Sequence, residues 1–147
     1  NEGSGDMYYK GSLLLNTLRH VVNDDDKWWG IILKYSETFK KQIIDTDMVI
    51  AFFNKETGMN LTPIFNQYLK TTSIPELTYK INGDTLTYSW TNVNNDFNMP
   101  IDFEYDKKII RLFPTTTPQE IKLKKLKKSK SYQIFDNKFF INIKEDI

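Results

Sequence analysis

Few residues in this chain are equipped for chemistry. It holds one histidine, His20, and no cysteine. No nucleophile–base–orienter set can be assembled, because the serines have only His20 to pair with. Neither a Gly-x-Ser-x-Gly elbow nor a glycine-rich phosphate loop occurs. A zinc centre needs three or four N, S or O ligands, and one histidine without cysteine does not anchor one. Asp24-Asp25-Asp26 offers three adjacent carboxylates, but a calcium loop needs alternating ligands, a central glycine and a distant glutamate. The spacing supports a turn followed by a helix N-cap instead. One stretch near the start of the chain stands out by its pattern. In Asp6-Met7-Tyr8-Tyr9-Lys10-Gly11, Tyr8 falls in the first turn of an expected helix. Its phenol projects past the helix start, where free N–H groups lend positive potential.

The element that positions Tyr8 is a helix expected from about Met7 to Val22. Asp6 stands where an N-cap belongs, and Leu14, Leu15, Leu18, Val21 and Val22 recur with the period of one buried face. Tyr8, Gly11 and Leu15 share a side at i, i+3 and i+7. A glycine inside a helix costs about 1 kcal/mol against alanine, and it is usually kept for close packing or close approach of a ligand. Arg19 and His20 fall in the last turns, where cations suit the carbonyl end of the dipole. His20 reads as an exposed or capping residue.

Tyr8-x-Lys10-Gly11 followed by an apolar helix resembles the tyrosine segment of the aminopeptidase N-type zinc metallopeptidases, the thermolysin-like family that includes leukotriene hydrolase. The order of the downstream elements is similar too. An Asp-rich turn and a Trp-containing helix come next, then Ile44-Asp45-Thr46-Asp47 opening another helix. The Gly58 to Leu69 segment resembles the family's "sGxdLxxfFxqWl" element, with Tyr68 where tryptophan is common. The resemblance implies that Tyr8 is the catalytic tyrosine, stabilising the tetrahedral intermediate of peptide hydrolysis. It also implies a zinc bound by an upstream His-Glu-x-x-His helix, which is missing here. The chain is thus expected to be the C-terminal piece of a longer zinc aminopeptidase, inactive alone, with no cofactor of its own. A start at Asn1 rather than Met agrees with this, and equally with a processed N-terminus. Expected partners are the upstream catalytic domain of the same polypeptide and, in the parent, a peptide substrate.

The rest of the chain divides in two. A second helix is expected over about Lys27 to Lys41, with Trp28, Ile32, Tyr35 and Phe39 on one stripe. Thr46, with Asp45 and Asp47, caps a third, carrying Val49, Phe52 and Phe53 and stopped by Gly58. A fourth carries Leu61, Ile64, Phe65, Tyr68 and Leu69, with Thr62 and Pro63 suiting the cap and N1. After Thr71-Thr72-Ser73-Ile74-Pro75 the period changes from 3.6 to 2. Leu77, Tyr79 and Ile81 lead through Asn82-Gly83-Asp84 to Leu86, Tyr88 and Trp90, a hairpin pattern. Asn92 to Asn98 is a polar loop. Further strands are expected around Ile101 to Tyr105, Ile110 to Leu112, Ile121 to Leu123, Tyr132 to Phe135, and Phe139 to Ile143. The fold class is α+β: an N-terminal helical bundle segment of about four helices, then an antiparallel β-sandwich. The domains are 1–73, the helical C-terminal part of a catalytic domain, and 74–147, the β-sandwich.

Composition narrows the function classes. Hydrophobic content of 39% and aromatic content of 14% over 147 residues describe a globular chain with a real core. A net charge of +1 argues against a dedicated nucleic-acid binder. No apolar run reaches the length of a membrane span, and any leader would lie upstream. Lys122 to Lys130 carries six lysines in nine positions. It reads most simply as an edge strand and turn blunted against aggregation, and otherwise as a contact for an anionic partner. A second function class stays open beside the peptidase fragment: a non-catalytic interaction module of helices and sandwich, recruited through an apolar helix face.

Overall fold

The computed structural model describes residues 6–128 and 131–146. Four helices come first: α1 (Asp6–Val22), α2 (Asp25–Thr38), α3 (Thr46–Thr57) and α4 (Thr62–Lys70). Their boundaries follow local chemistry. Asp24 caps α2 by accepting from the Lys27 N–H at 2.9 Å, and Asp45 caps α3 through the Met48 N–H at 2.8 Å. Gly58 ends α3 with φ of 72°, the left-handed conformation that glycine takes without a Cβ penalty. Three boundaries differ from the sequence expectation. Helix α1 begins at Asp6 itself, so its cap position falls outside the described residues. Helix α2 ends at Thr38, because Lys41 turns left-handed (φ 59°) and the Gln42 N–H closes back onto Phe39 O at 3.1 Å. Thr62 is already helical, and its hydroxyl accepts from the Asn54 amide at 2.8 Å, which ties α4 to α3.

The strands come after them: β1 (Glu76–Asn82), β2 (Thr85–Thr91), β3 (Ile101–Tyr105), β4 (Lys108–Leu112), β5 (Gln119–Lys122), β6 (Tyr132–Ile134) and β7 (Asn142–Glu145). They form two sheets, ordered β5-β2-β1-β7 and β4-β3-β6. Gly83, at φ of 63°, makes the two-residue turn between β1 and β2. The pairing Leu77↔Trp90 and Tyr79↔Tyr88 then puts the alternating apolar residues on one face. The α+β class and the helix-then-sheet order are as expected. One sheet is mixed, however, since β7 pairs with β1 in parallel. Phe139 and Ile141 also precede the last strand rather than belong to it. The Ile141 N–H bonds back to Phe139 O at 2.9 Å, so both side chains reach the core across a turn.

One hydrophobic cluster runs through helices and sheets together. Trp28, Tyr35, Phe39, Phe52, Phe53 and Phe65 form its helical part, with neighbouring ring centroids 5.0–5.8 Å apart. Trp90, Phe103, Ile101 and Leu86 fill the part between the sheets. Leu15, expected on the buried face of α1, is 45% exposed, and Leu69 of α4 is 48% exposed. In α1 the buried stripe is Leu14, Leu18 and Val21. Leu15 lies about 100° away from Leu14 and so joins the outer stripe of Tyr8 and Gly11.

Candidate functional site

The candidate site is the first two turns of α1, held in place by polar contacts along its inner side. Lys10 Nζ donates to Thr71 O at 3.1 Å, fastening the first turn to the segment between α4 and β1. Farther along, the Thr17 hydroxyl donates to Leu13 O and accepts from the Phe140 N–H at 2.9 Å. Asn16 reaches Lys138 O at 3.3 Å. At the far end the Arg111 guanidinium, from β4, donates to Val21 O at 3.0 Å and His20 O at 2.7 Å, satisfying two carbonyls that the helix leaves open.

Among the described residues nothing packs over the outer side at Gly11. The Tyr8 side chain is 78% exposed and that of Tyr9 70%. A Cβ on Gly11 would meet no described atom within 4 Å, so whatever close approach this glycine serves does not come from the described residues. The exposed stripe continues with Leu15 and, on α2, Trp29 and Leu33. The Arg19 guanidinium lies 5.3 Å over the Trp29 ring and pairs with both Asp25 oxygens at 2.7 and 2.8 Å. Beside the Tyr9 face runs an open groove of about 320 Å³ floored by Leu13, Tyr68, Ile74 and Phe140. Tyr68 closes its base. The Tyr68 hydroxyl donates to Phe140 O at 2.6 Å, the two rings stack 5.8 Å apart, and burial pushes the phenol's proton affinity well up. That phenol stays protonated and structural.

His20 sits twelve residues along α1 from Tyr8, about 18 Å at the helical rise, so the two do not meet. Its half-buried ring packs against Phe139 at 6.1 Å. Burial, then the nearby Lys138 and Arg19 charges, hold its pKa below the usual histidine value. Sequence reasoning missed a buried carboxylate that also acts on it. Asp102 is only 4% exposed on β3, pairs with Arg111 at 2.9 Å and receives Lys138 at 3.5 Å. The signal was the β3–β4 register, which sets Asp102 opposite Arg111. It was hidden because the connecting turn, Asp106-Lys107, takes positive φ at both residues without a glycine.

The residues present do not fit a zinc centre. The chain has one histidine and no cysteine, and among the described residues no three of His, Cys, Asp and Glu gather where a metal ion could be held. Among the described residues no helix is long and apolar enough to cross a membrane. No protein-family model matches the sequence, and no curated protein matches it. Among solved structures, the crystal structure of Legionella pneumophila aminopeptidase A in complex with aspartic acid is similar over 99% of this chain, with a TM-score of 0.78 at 12% identity. The match covers 18% of that chain, so the present sequence spans less than a fifth of it. The likeness is one of fold, and it takes in helices and sheets together.

Proposed function

We propose that this chain is the C-terminal part of a zinc-dependent aminopeptidase of the aminopeptidase N type, inactive alone, and that Tyr8 is its contribution to catalysis. The observation that carries the reading is that a fold shared end to end with part of an aminopeptidase chain leaves the Tyr8–Gly11–Leu15 side of α1 uncovered. The polar contacts on the inner side of α1 tie it to Thr71 and to the Lys138–Phe140 segment, while the Tyr8 phenol projects outward. As a scissile carbonyl becomes tetrahedral its oxygen gains charge, and the Tyr8 hydroxyl donates a hydrogen bond to it. That bond strengthens only in the transition state, so it acts on kcat. The upstream part of the polypeptide, seated on the bare side of α1 and α2, would supply the metal ligands and the contacts for the substrate's N-terminus.

The test is Tyr8→Phe in the enzyme extended upstream. The ring stays and the donor goes, so kcat should fall by about 10²–10³, on the order of 3–4 kcal/mol, with KM and zinc content nearly unchanged. Tyr9→Phe is the control, because it points about 100° around the helix. Near-normal kcat in Tyr8→Phe, with only a small loss of thermal stability, would overturn the assignment.

A second reading rests on the same bare face. Leu15, Trp29 and Leu33 would serve equally as the contact of a non-catalytic interaction module. The gene upstream of Asn1 discriminates: a His-Glu-x-x-His followed by a further glutamate supports the enzyme, and its absence supports the module.

A further inference from the structure

Lysines on an edge strand discourage edge-to-edge pairing. That accounts for Lys122, which lies on the edge strand β5. It does not account for Lys124, Lys125, Lys127 and Lys128, which succeed the strand in a turn closed by a short 3₁₀ segment, Leu126–Lys128. This turn is firmly built. Leu123 and Leu126 are buried in the core, 5% and 3% exposed. The Leu123 N–H donates to Asp84 O at 2.8 Å, and the Lys127 N–H donates to Asp84 Oδ1 at 2.8 Å, locking the turn onto the β1–β2 hairpin. The Lys128 N–H closes back onto Lys125 O at 3.0 Å. Lys125 itself holds φ of 70°, a conformation that asparagine or glycine would take more readily.

All five lysines are exposed, and none forms an ion pair with a described residue. Five of the chain's twenty basic residues thus stand in seven positions, and the remainder of the chain is net acidic. The small overall charge conceals a strongly cationic knob at one end of the sandwich.

We propose that this knob docks the protein on an anionic lipid surface. Nucleic acid would call for aromatic rings to stack on bases or arginine forks for phosphates, and residues 122–128 contain neither. An acidic peptide would need a pocket for an anchoring side chain, and both leucines of the turn are already committed to the core. A bilayer of anionic headgroups asks only for several cations held together on a convex tip.

The test is co-sedimentation of the 147-residue chain with phosphatidylserine-rich vesicles and with pure phosphatidylcholine vesicles. Binding is expected to the first alone and should weaken as salt rises to about 0.15 M. Each lysine near such a surface contributes about fivefold to partitioning, so Lys→Gln at 124, 125, 127 and 128 should reduce binding by up to several hundredfold. Lys→Arg at the same four positions should retain it, and Lys→Gln at Lys40 and Lys41 should leave it unchanged. Circular dichroism melts establish that each variant is folded. Failure of the parent chain to bind phosphatidylserine vesicles, or equal loss in the Lys40 and Lys41 variant, overturns the proposal. So does retention on a single-stranded RNA oligonucleotide without vesicle binding, which would assign the knob to nucleic acid.

Discussion

Gly11→Ala separates what this chain needs from what a larger enzyme would need. Gly11 is the sixth residue of a seventeen-residue helix, well inside it. A Cβ there meets no described atom within 4 Å, so no packing term opposes the substitution. The neighbouring ties, Lys10 to Thr71 O and Ser12 to Tyr9 O, involve side chains that it leaves alone. The helix-propensity gain of about 1 kcal/mol should then appear nearly in full. For a chain of this size that is a rise in Tm of about 2–4 °C, and a urea midpoint higher by about 0.3–1 M. Thermal and urea unfolding followed by far-UV circular dichroism measure both. A lower Tm would mean that something packs against Gly11, and the picture of a bare outer side would be wrong. In the enzyme extended upstream the sign should reverse for activity. There the added methyl group projects on the Tyr8 side, into the space that a partner is proposed to occupy, and kcat should fall while the isolated chain gains stability.

Asp102→Ala should destabilise the chain by about 2–4 kcal/mol, because it strands the Arg111 charge that also holds the end of α1; Arg111 is itself partly exposed, which softens the loss. A double Asp102→Leu, Arg111→Met variant should recover much of that loss in urea unfolding, and strictly additive losses would refute the coupling. His20 has a folded-state pKa held below its unfolded value by burial, so the unfolded chain takes up the proton first. Its contribution is fully present above the unfolded pKa and declines as pH falls through that value, about 6.5, towards the lower folded one, a slope that His20→Gln should flatten. The division at Ser73 is proposed to separate two folding units, with limited proteolysis removing the helical half first; preferential loss of residues after Pro75 would count against it.

Period and punctuation make most of the architecture readable from residue order alone. Asp24, Asp45 and Gly58 mark helix ends by local chemistry, and Asn82-Gly83-Asp84 fixes a hairpin register without help from the rest of the chain. What was illegible depended on distant partners. Nothing near Asn142 announces that β7 runs parallel to β1, because that pairing joins residues more than sixty positions apart. Phe139, Ile141 and Ile143 alternate like a strand, yet the first two are brought inward by a turn whose Phe140 N–H bonds to Thr17 on α1. The Asp102–Arg111 pair needed a register set by a turn that lacks the usual glycine.

The Tyr8 side of α1 poses a different problem. Spacing sets Tyr8, Gly11 and Leu15 on one side of a helix, but it cannot tell an inward side from an outward one. Leu15 fitted both stripes of α1, and only packing assigns it to the outer one. The inner side is fixed by ties from Lys10, Asn16 and Thr17 to distant backbone, and by the Arg111 side chain of β4 donating to the carbonyls of His20 and Val21. A solvent-facing helix of an ordinary small domain is covered by charged residues on its outer side. Here that side offers Tyr8, Gly11, Ser12 and Leu15 before its first charge, Arg19, and Trp29 and Leu33 on α2 continue the exposed apolar surface. Such a surface suits contact better than solvation. An α1 tied down from within, with aromatic and aliphatic groups turned outward, is the surface that the proposed second body would meet at Tyr8.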